Sequence, residues 1–164
     1  MTRPRRGRKM AGALGAAGVL LMSVALPDSV AAQTTERVVM DRHTGLAVYG
    51  FDPVGYFTHG HPLVGRSDVE FAFAGAVWRF RNSGNRAAFA ARPDVYAPQF
   101  GGYDPADIAR GVVTAGNPRF FVIAAQRLYL FSREDNRDAF AANPERFLYE
   151  VGKRWPALED KLSQ

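Results

Sequence analysis

The feature that most constrains the fold is an internal repetition at an offset of 51 residues. Residues 74–96 align without a gap onto residues 125–147. The pairs that are identical or matched in kind include Trp78/Tyr129, Phe80/Phe131, Asn85/Asn136, Arg86/Arg137, Phe89/Phe140, Pro93/Pro144 and Tyr96/Phe147. A repetition in fixed register indicates one structural unit used twice. The alternative is a chance match between two unrelated alanine-rich helices.

Each copy changes its hydrophobic periodicity at the same place. Short aromatic and β-branched runs on either side of Gly75 are typical of a β-hairpin, and residues 121–131 repeat them. A helical pattern follows each hairpin and ends at Pro93 or Pro144, because proline cannot continue a helix. We predict an α+β fold in which two pseudo-repeated β-hairpin-plus-helix units, at about 71–96 and 122–147, pack around one core with short extra helices.

Four local signals complete the predicted secondary structure. Ser83 and Ser132 are the predicted N-caps of the two repeated helices. Asp52-Pro53 and Asp104-Pro105 each predict a short extra helix, with aspartate as N-cap and proline as first residue. Residues 46–49 are predicted to be a lead-in strand of a domain spanning 46–159. Residues 33–45 are predicted to be a flexible lead, and 160–164 a loose tail.

The N-terminal 32 residues are typical of a cleavable secretory signal. A basic start is followed by an apolar stretch and by Val30-Ala31-Ala32, whose small side chains favour cleavage before Gln33. The alternative is an uncleaved membrane anchor, although the apolar stretch lies at the short end of the roughly 17–25 residues that a span needs. Arg5-Arg6 leaves twin-arginine and general secretory export both open. We expect a periplasmic or secreted protein with no stable membrane insertion after cleavage.

Charge and cysteine content exclude several function classes. Five of the 21 Lys and Arg residues and one of the 16 Asp and Glu residues precede residue 33, so residues 33–164 carry 16 basic and 15 acidic side chains. Proteins that bind nucleic acid keep a clustered basic excess, so nucleic acid is not an expected partner. The chain has no cysteine, which excludes disulfides, thiolate metal sites and cysteine nucleophiles.

The motifs, taken in order, resemble those of YHS-domain proteins of the small exported bacterial kind. The matching segments are Asp52-Pro53-Val54-Gly55-Tyr56-Phe57, Trp78-Arg79-Phe80, Ala97-Pro98-Gln99-Phe100-Gly101-Gly102-Tyr103, Gly116-Asn117-Pro118 and Trp155-Pro156. The resemblance covers most of residues 33–164. It implies the fold, and for some members it implies bound metal or redox chemistry.

This sequence departs from the pattern of those members. The resemblance places metal-binding cysteines at Arg81 and Asn85 in one copy and at Ser132 and Asn136 in the other. An exported relative typically has cysteine or selenocysteine at Asp104, where a helix N-terminus favours an anion. Aspartate keeps the negative charge but cannot exchange electrons. We therefore expect Asp104 to be a helix cap, one that Asn or Ser can replace at little cost, with a surviving functional group as the alternative.

Two sets of residues are candidates for binding. His59 and His61 can share a cation such as Cu(II) or Zn(II) if His43, Asp52 or Asp104 supplies a further ligand; exposed histidines in a polar turn are the alternative. Aromatic residues around a glycine pair can line a ligand pocket, or the glycines can face the other half of the protein. That second set is Tyr96, Phe100, Gly101, Gly102, Tyr103 and Asp104.

Arg86 and Arg137 occur at equivalent places in both copies, where each can pair with a carboxylate of the facing unit or hold an anion. No catalytic motif is present. The expected function is non-catalytic binding of an unknown small ligand or periplasmic protein, without a cofactor. Periplasmic copper or zinc handling, through histidine and carboxylate in place of cysteine, is the alternative.

Overall fold

The computed structural model describes Thr2 and residues 37–162. Residues 37–162 belong to one compact unit, which spans Ala32–Gln164. The predicted signal, residues 1–32, lies outside the described residues apart from Thr2. The described part is mixed α and β, with two separate two-stranded antiparallel sheets and several helices. No helix within it combines the length and apolarity that crossing a membrane requires.

The first hairpin and its helices follow a left-handed loop, Val48–Gly50, and a short helix, α1 (Gly55–His59). Strand β1 (Arg66–Phe73) pairs with β2 (Ala76–Phe80), and Phe71 lies opposite Trp78. Helix α2 (Ser83–Ala91) comes next, and α3 (Pro93–Tyr96) starts at the proline expected to stop it. The predicted hairpin and helix are both confirmed.

The second hairpin has the same order of elements. A loop at Gln99–Gly102 and helix α4 (Pro105–Ile108) precede β3 (Asn117–Ala124) and β4 (Arg127–Phe131). Helix α5 (Glu134–Ala142) follows, and α6 (Pro144–Leu162) closes the chain. Both hairpins have a register shift after the first residue of the first strand, between Arg66 and Glu70 and between Asn117 and Phe121.

The hydrophobic residues do not form the single core that we predicted. Trp78 and Phe80 pack on Phe89, with ring centroids 4.9 and 5.2 Å away, in one cluster. Tyr129 and Phe131 pack on Phe140 in another cluster. The reason is the two-residue period of β4, which turns Leu128 and Leu130 toward the first cluster and the two aromatic residues the other way.

Both ends of the described chain are more ordered than predicted. Val38 and Val39 are buried, and the Val39 N–H donates to the Gly101 carbonyl at 2.8 Å, so the predicted flexible lead is wrong for residues 37–45. The predicted loose tail is wrong for residues 160–162, because they complete α6 and Leu162 packs on a third cluster with Tyr103 and Ile108. Apolar contacts hold both segments.

Three local predictions are also corrected. Residues 46–49 form isolated bridges and a left-handed turn instead of a strand, with Val48 and Tyr49 at φ 43° and 57°. The N-caps of α2 and α5 are Asn82 and Arg133, not Ser83 and Ser132. Helix α1 begins at Gly55 with Val54 as N-cap, not at Pro53 with Asp52. Each prediction missed by one or two residues or mistook a turn for a strand, because local propensity fixes boundaries poorly.

Candidate functional site

The first buried polar centre is Asp52, whose side chain is 0% exposed. Its Oδ1 accepts from the backbone N–H groups of Val54 and Gly55, at 2.9 and 3.2 Å, and so caps the turn before α1. Its Oδ2 accepts from the Arg81 N–H at 2.7 Å and from Asn85 Nδ2 at 2.6 Å. The carboxylate therefore ties the start of α1 to the end of β2 and to α2.

Asp104 occupies the corresponding place in the second half and is also 0% exposed. Its Oδ1 accepts from the N–H groups of Ala106 and Asp107, at 2.8 and 3.3 Å, which confirms the predicted N-cap. Its Oδ2 accepts from the Ser132 N–H at 2.8 Å, from Ser132 Oγ at 2.7 Å and from Asn136 Nδ2 at 2.6 Å. All five partners are donors, which suits a group that only accepts.

Asp107 adds a second carboxylate beside Asp104. Asn136 Nδ2 donates to Asp107 Oδ1 at 3.1 Å, and the Arg110 guanidinium pairs with the same oxygen. Burial alone would raise the pKa of this carboxyl group, but hydrogen bonds from Thr114 and Asn136 outweigh it and hold the pKa below its ordinary value. The nearby guanidinium groups of Arg110 and Arg133 act in the same direction.

The residues that donate to Oδ2 of the two buried aspartates occupy the positions at which the resemblance places metal-binding cysteines. Asn85 and Asn136 each hold a buried aspartate by its Oδ2. The arginines next to them do not reach a carboxylate of the other unit: Arg86 is exposed, and Arg137 pairs with Glu134 and Asp138 of its own helix. Within residues 37–162, every buried side-chain nitrogen or oxygen has a hydrogen-bond partner. The two carboxylates thus serve as structural anchors.

The aromatic and glycine residues predicted to form a pocket are not brought together in one. Tyr96 packs edge-on against Phe57, with ring centroids 5.3 Å apart, and Phe100 packs against Trp155 at 5.5 Å. A Cβ atom at Gly101 would lie 1.8 Å from the Arg37 carbonyl oxygen, so the residue must be glycine.

Gly102 also lies against its own chain, at ordinary van der Waals distance. A Cβ atom there would lie 3.5 Å from Pro98, Val39 and Val48. The glycine pair therefore faces other parts of the chain. Of the six residues in the predicted set, Tyr103 lines a cleft.

His59 and His61 lie together in the exposed turn after α1, with ring centroids 6.1 Å apart. The His61 Nδ1 faces the His59 carbonyl at 2.9 Å, and a carbonyl can only accept. The Thr58 hydroxyl lies 2.8 Å from His59 Nδ1 and 3.1 Å from the Val54 carbonyl. In its neutral state, the His61 ring thus carries its lone pair on Nε2. Asp52 and Asp104 are buried in their own networks, and the described residues contain no group of three His, Cys, Asp or Glu side chains suited to a metal.

Sequence reasoning missed a cleft with a volume of about 780 Å³. It lies against the 38–45 segment, which had been predicted to be flexible, and it is also lined by Tyr49, Tyr103, Val113, Ala115 and Leu162. Most of the lining side chains are apolar; Asp41, Arg42 and His43 supply its charged or titratable groups. The buried Val38-Val39 pair was the signal in the sequence that could have placed this segment in the fold.

A second cleft of about 330 Å³ is lined by Tyr49, Phe51 and residues 115–119. Tyr49 and Ala115 line both clefts. The larger cleft is mostly apolar, and the smaller one is about as polar as it is apolar. Concave, mostly apolar surfaces of the larger cleft's size, with a few polar groups, are typical of small-molecule sites.

Comparison of the chain with protein-family models, with curated proteins and with solved structures finds no match.

Proposed function

We propose that this chain is an exported, non-catalytic binding module related to YHS domains, which binds a small and mostly apolar ligand in the 780 Å³ cleft. The cleft is the observation that carries the proposal. Its walls come from segments far apart in the sequence, including Val39, Tyr103 and Leu162, so the fold preforms it. Asp52 and Asp104 support a non-catalytic role, since their oxygens are occupied by structural hydrogen bonds.

We also infer that the two hairpin-plus-helix units arose as copies of one unit. The support is a set of equivalent contacts: Asp52 with Asn85, and Asp104 with Asn136. The Gly65 N–H donates to the Gly50 carbonyl, as the Gly116 N–H does to that of Gly102. Such long-range contacts, repeated at an offset of 51 or 52 residues, are not explained by two unrelated helices of similar composition.

Export rests on the N-terminal sequence, and mass spectrometry of the protein recovered outside the cytoplasm tests it. A mature chain that starts near residue 33 is the expected result. Recovery of the intact N-terminus in the membrane fraction would show that the segment is retained as an anchor.

Binding in the cleft is tested with the neutral fluorescent probe N-phenyl-1-naphthylamine. We expect saturable binding of one probe per chain. Ala115→Trp should abolish binding, because Ala115 lines the cleft and its side chain is exposed, which leaves room for the new ring to fill the cleft without disturbing the core. Val112→Trp is the matched control, since Val112 is 54% exposed and does not line the cleft. Absence of probe binding by the unaltered protein contradicts the proposal.

A second candidate function, copper or zinc handling, is favoured by one observation. The hydrogen bond of His61 to a carbonyl leaves Nε2 of its neutral ring as an electron-pair donor, the His59 ring lies 6.1 Å away, and imidazole suits both metals. Titration with Cu(II) tests it, with His59→Gln/His61→Gln as the variant and His43→Gln as the control. Metal binding that persists unchanged in the double variant would place it elsewhere in the chain.

A further inference from the structure

Tyr49 has a backbone conformation that its side chain does not favour. Its φ is 57°, and the preceding Val48 is also left-handed at 43°. The equivalent loop of the second half runs from Phe100 to Gly102, 52 residues later, with the same series of positive φ angles, and it has glycine, Gly101, at the position that corresponds to Tyr49. Glycine adopts this region without a steric cost, whereas a residue with a Cβ does not. A tyrosine here therefore needs a compensating role for its ring.

Burial in the core does not supply that role. Tyr49 is 44% exposed, whereas its neighbour Val48 is 1% exposed and packs in the core. The Tyr49 ring instead lines both the 780 Å³ cleft and the 330 Å³ cleft. Non-glycine residues in strained conformations cluster at binding sites, because the fold holds them there for a purpose other than stability. Tyr49 thus lies between two clefts that also share Ala115 in their linings.

The smaller cleft also contains a cationic group. Arg119 lines it, is exposed, and makes no ion pair with a carboxylate among the described residues. Two hydrogen bonds hold the wall that carries Arg119. The backbone N–H of Arg119 donates to Asn117 Oδ1 at 3.0 Å, and the Tyr56 hydroxyl donates to the Pro118 carbonyl at 2.8 Å. A guanidinium group without a carboxylate partner, in a fixed wall, is suited to bind an acid group.

We propose that the ligand is a small aromatic anion whose ring stacks on Tyr49 and whose acid group binds Arg119. The apolar wall of the larger cleft, including Val38 and Val113, accommodates the remainder of the ligand. Aromatic stacking and a charge-assisted hydrogen bond then define the two ends of the site. This inference rests on the proposed function, because it assigns the ligand class of the same site.

Two probes that differ by one sulfonate group test it: 8-anilino-1-naphthalenesulfonate and neutral N-phenyl-1-naphthylamine. We expect the sulfonate probe to bind more tightly. Arg119→Gln should weaken it about tenfold, as expected for loss of one charge-assisted contact, and leave the neutral probe unchanged. Arg86→Gln is the matched control, since Arg86 is exposed and lies outside both clefts.

The role of Tyr49 is tested with Tyr49→Gly and Tyr49→Asn, since glycine and asparagine both tolerate a left-handed backbone. We expect both variants to weaken both probes while the melting temperature is maintained or raised. Tyr49→Phe should keep the affinity, because the stacking ring remains. Unchanged affinities without the ring would overturn the inference, as would equal binding of the two probes with no effect of Arg119→Gln.

The failure of this inference can be told from that of the proposed function. If both probes bind the unaltered protein and Ala115→Trp abolishes binding, the cleft is a site even where Tyr49 and Arg119 have no effect. If neither probe binds the unaltered protein, both proposals are overturned.

Discussion

Asp104→Asn is expected to destabilise the protein strongly, because of the donors on Asp104 Oδ2. These donors reverse the prediction from the sequence alone that asparagine can replace Asp104 at little cost, which rests on asparagine being a good N-cap. If the new amide keeps its oxygen toward the N–H groups of Ala106 and Asp107, its Nδ2 replaces the oxygen that now accepts from Ser132 and Asn136. The Ser132 hydroxyl can turn to accept, but its backbone N–H cannot. The new amide nitrogen then faces the backbone N–H of Ser132, and neither of these two donors has an acceptor.

The magnitude follows from two contributions. An unsatisfied buried N–H group costs about 1–3 kcal/mol, and losing a hydrogen bond to a charged group costs about 1.5–3 kcal/mol. If Asn136 flips to present its oxygen to the new amide, that oxygen also faces Asp107 Oδ1, now 3.1 Å from its nitrogen. We therefore expect a loss of about 3–5 kcal/mol, a large share of a typical 5–15 kcal/mol domain stability.

Urea denaturation followed by circular dichroism measures this loss. Asp94→Asn is the matched control, because Asp94 lies in the first turn of α3 with a side chain 61% exposed; it should change stability by less than about 1 kcal/mol. Asp52→Asn should cost about as much as Asp104→Asn, since Asp52 also accepts a backbone N–H and an asparagine amide at Oδ2. An Asp104→Asn variant within about 1 kcal/mol of the unaltered protein would refute the reasoning.

Three further predictions concern stability. Phe89→Ala and Phe140→Ala should each cost about 3–5 kcal/mol in urea denaturation, because both rings are 0% exposed; losses below about 1 kcal/mol would contradict the packing. The pKa of Asp107 is lower in the folded than in the unfolded state, so its stabilising contribution is present above about pH 4 and is lost as the pH falls through the folded value. Asp107→Asn should therefore reduce the fall in unfolding free energy below about pH 4, measured by urea denaturation at several pH values. An unchanged pH dependence would contradict this role of Asp107. Tyr56→Phe should cost about 0.5–1.5 kcal/mol, because it removes the hydrogen bond to the Pro118 carbonyl; a neutral result would show that this bond adds nothing.

The sequence by itself predicted the local elements. Alternating hydrophobic residues predicted both hairpins, and the helical spacing around Phe89 and Phe140 predicted the helix after each hairpin. The Asp-Pro pair at 104–105 predicted a capped short helix correctly. These features depend on neighbouring residues, so their physical causes can be read along the chain. The boundaries of α2, α5 and α6 could not be predicted, because tertiary contacts decide how far a helix extends.

The candidate site was a matter of tertiary structure. Nothing local shows that Asn85 and Asn136 reach aspartates 33 and 32 residues away, or that these bonds use the carboxylate oxygen left free by the cap. The residues expected to form a pocket around Gly101 instead pack on their own chain, because residues 37–39 fill that space.

The same segment forms one wall of the larger cleft, and the 48–50 loop places Tyr49 at its edge. A sequence pattern records which residues prefer burial, but not which surfaces they cover. The two buried anchors are therefore properties of how each half folds on itself, and the cleft is a property of how segments from both halves pack, whereas the hairpins and helices follow from neighbouring residues in the sequence.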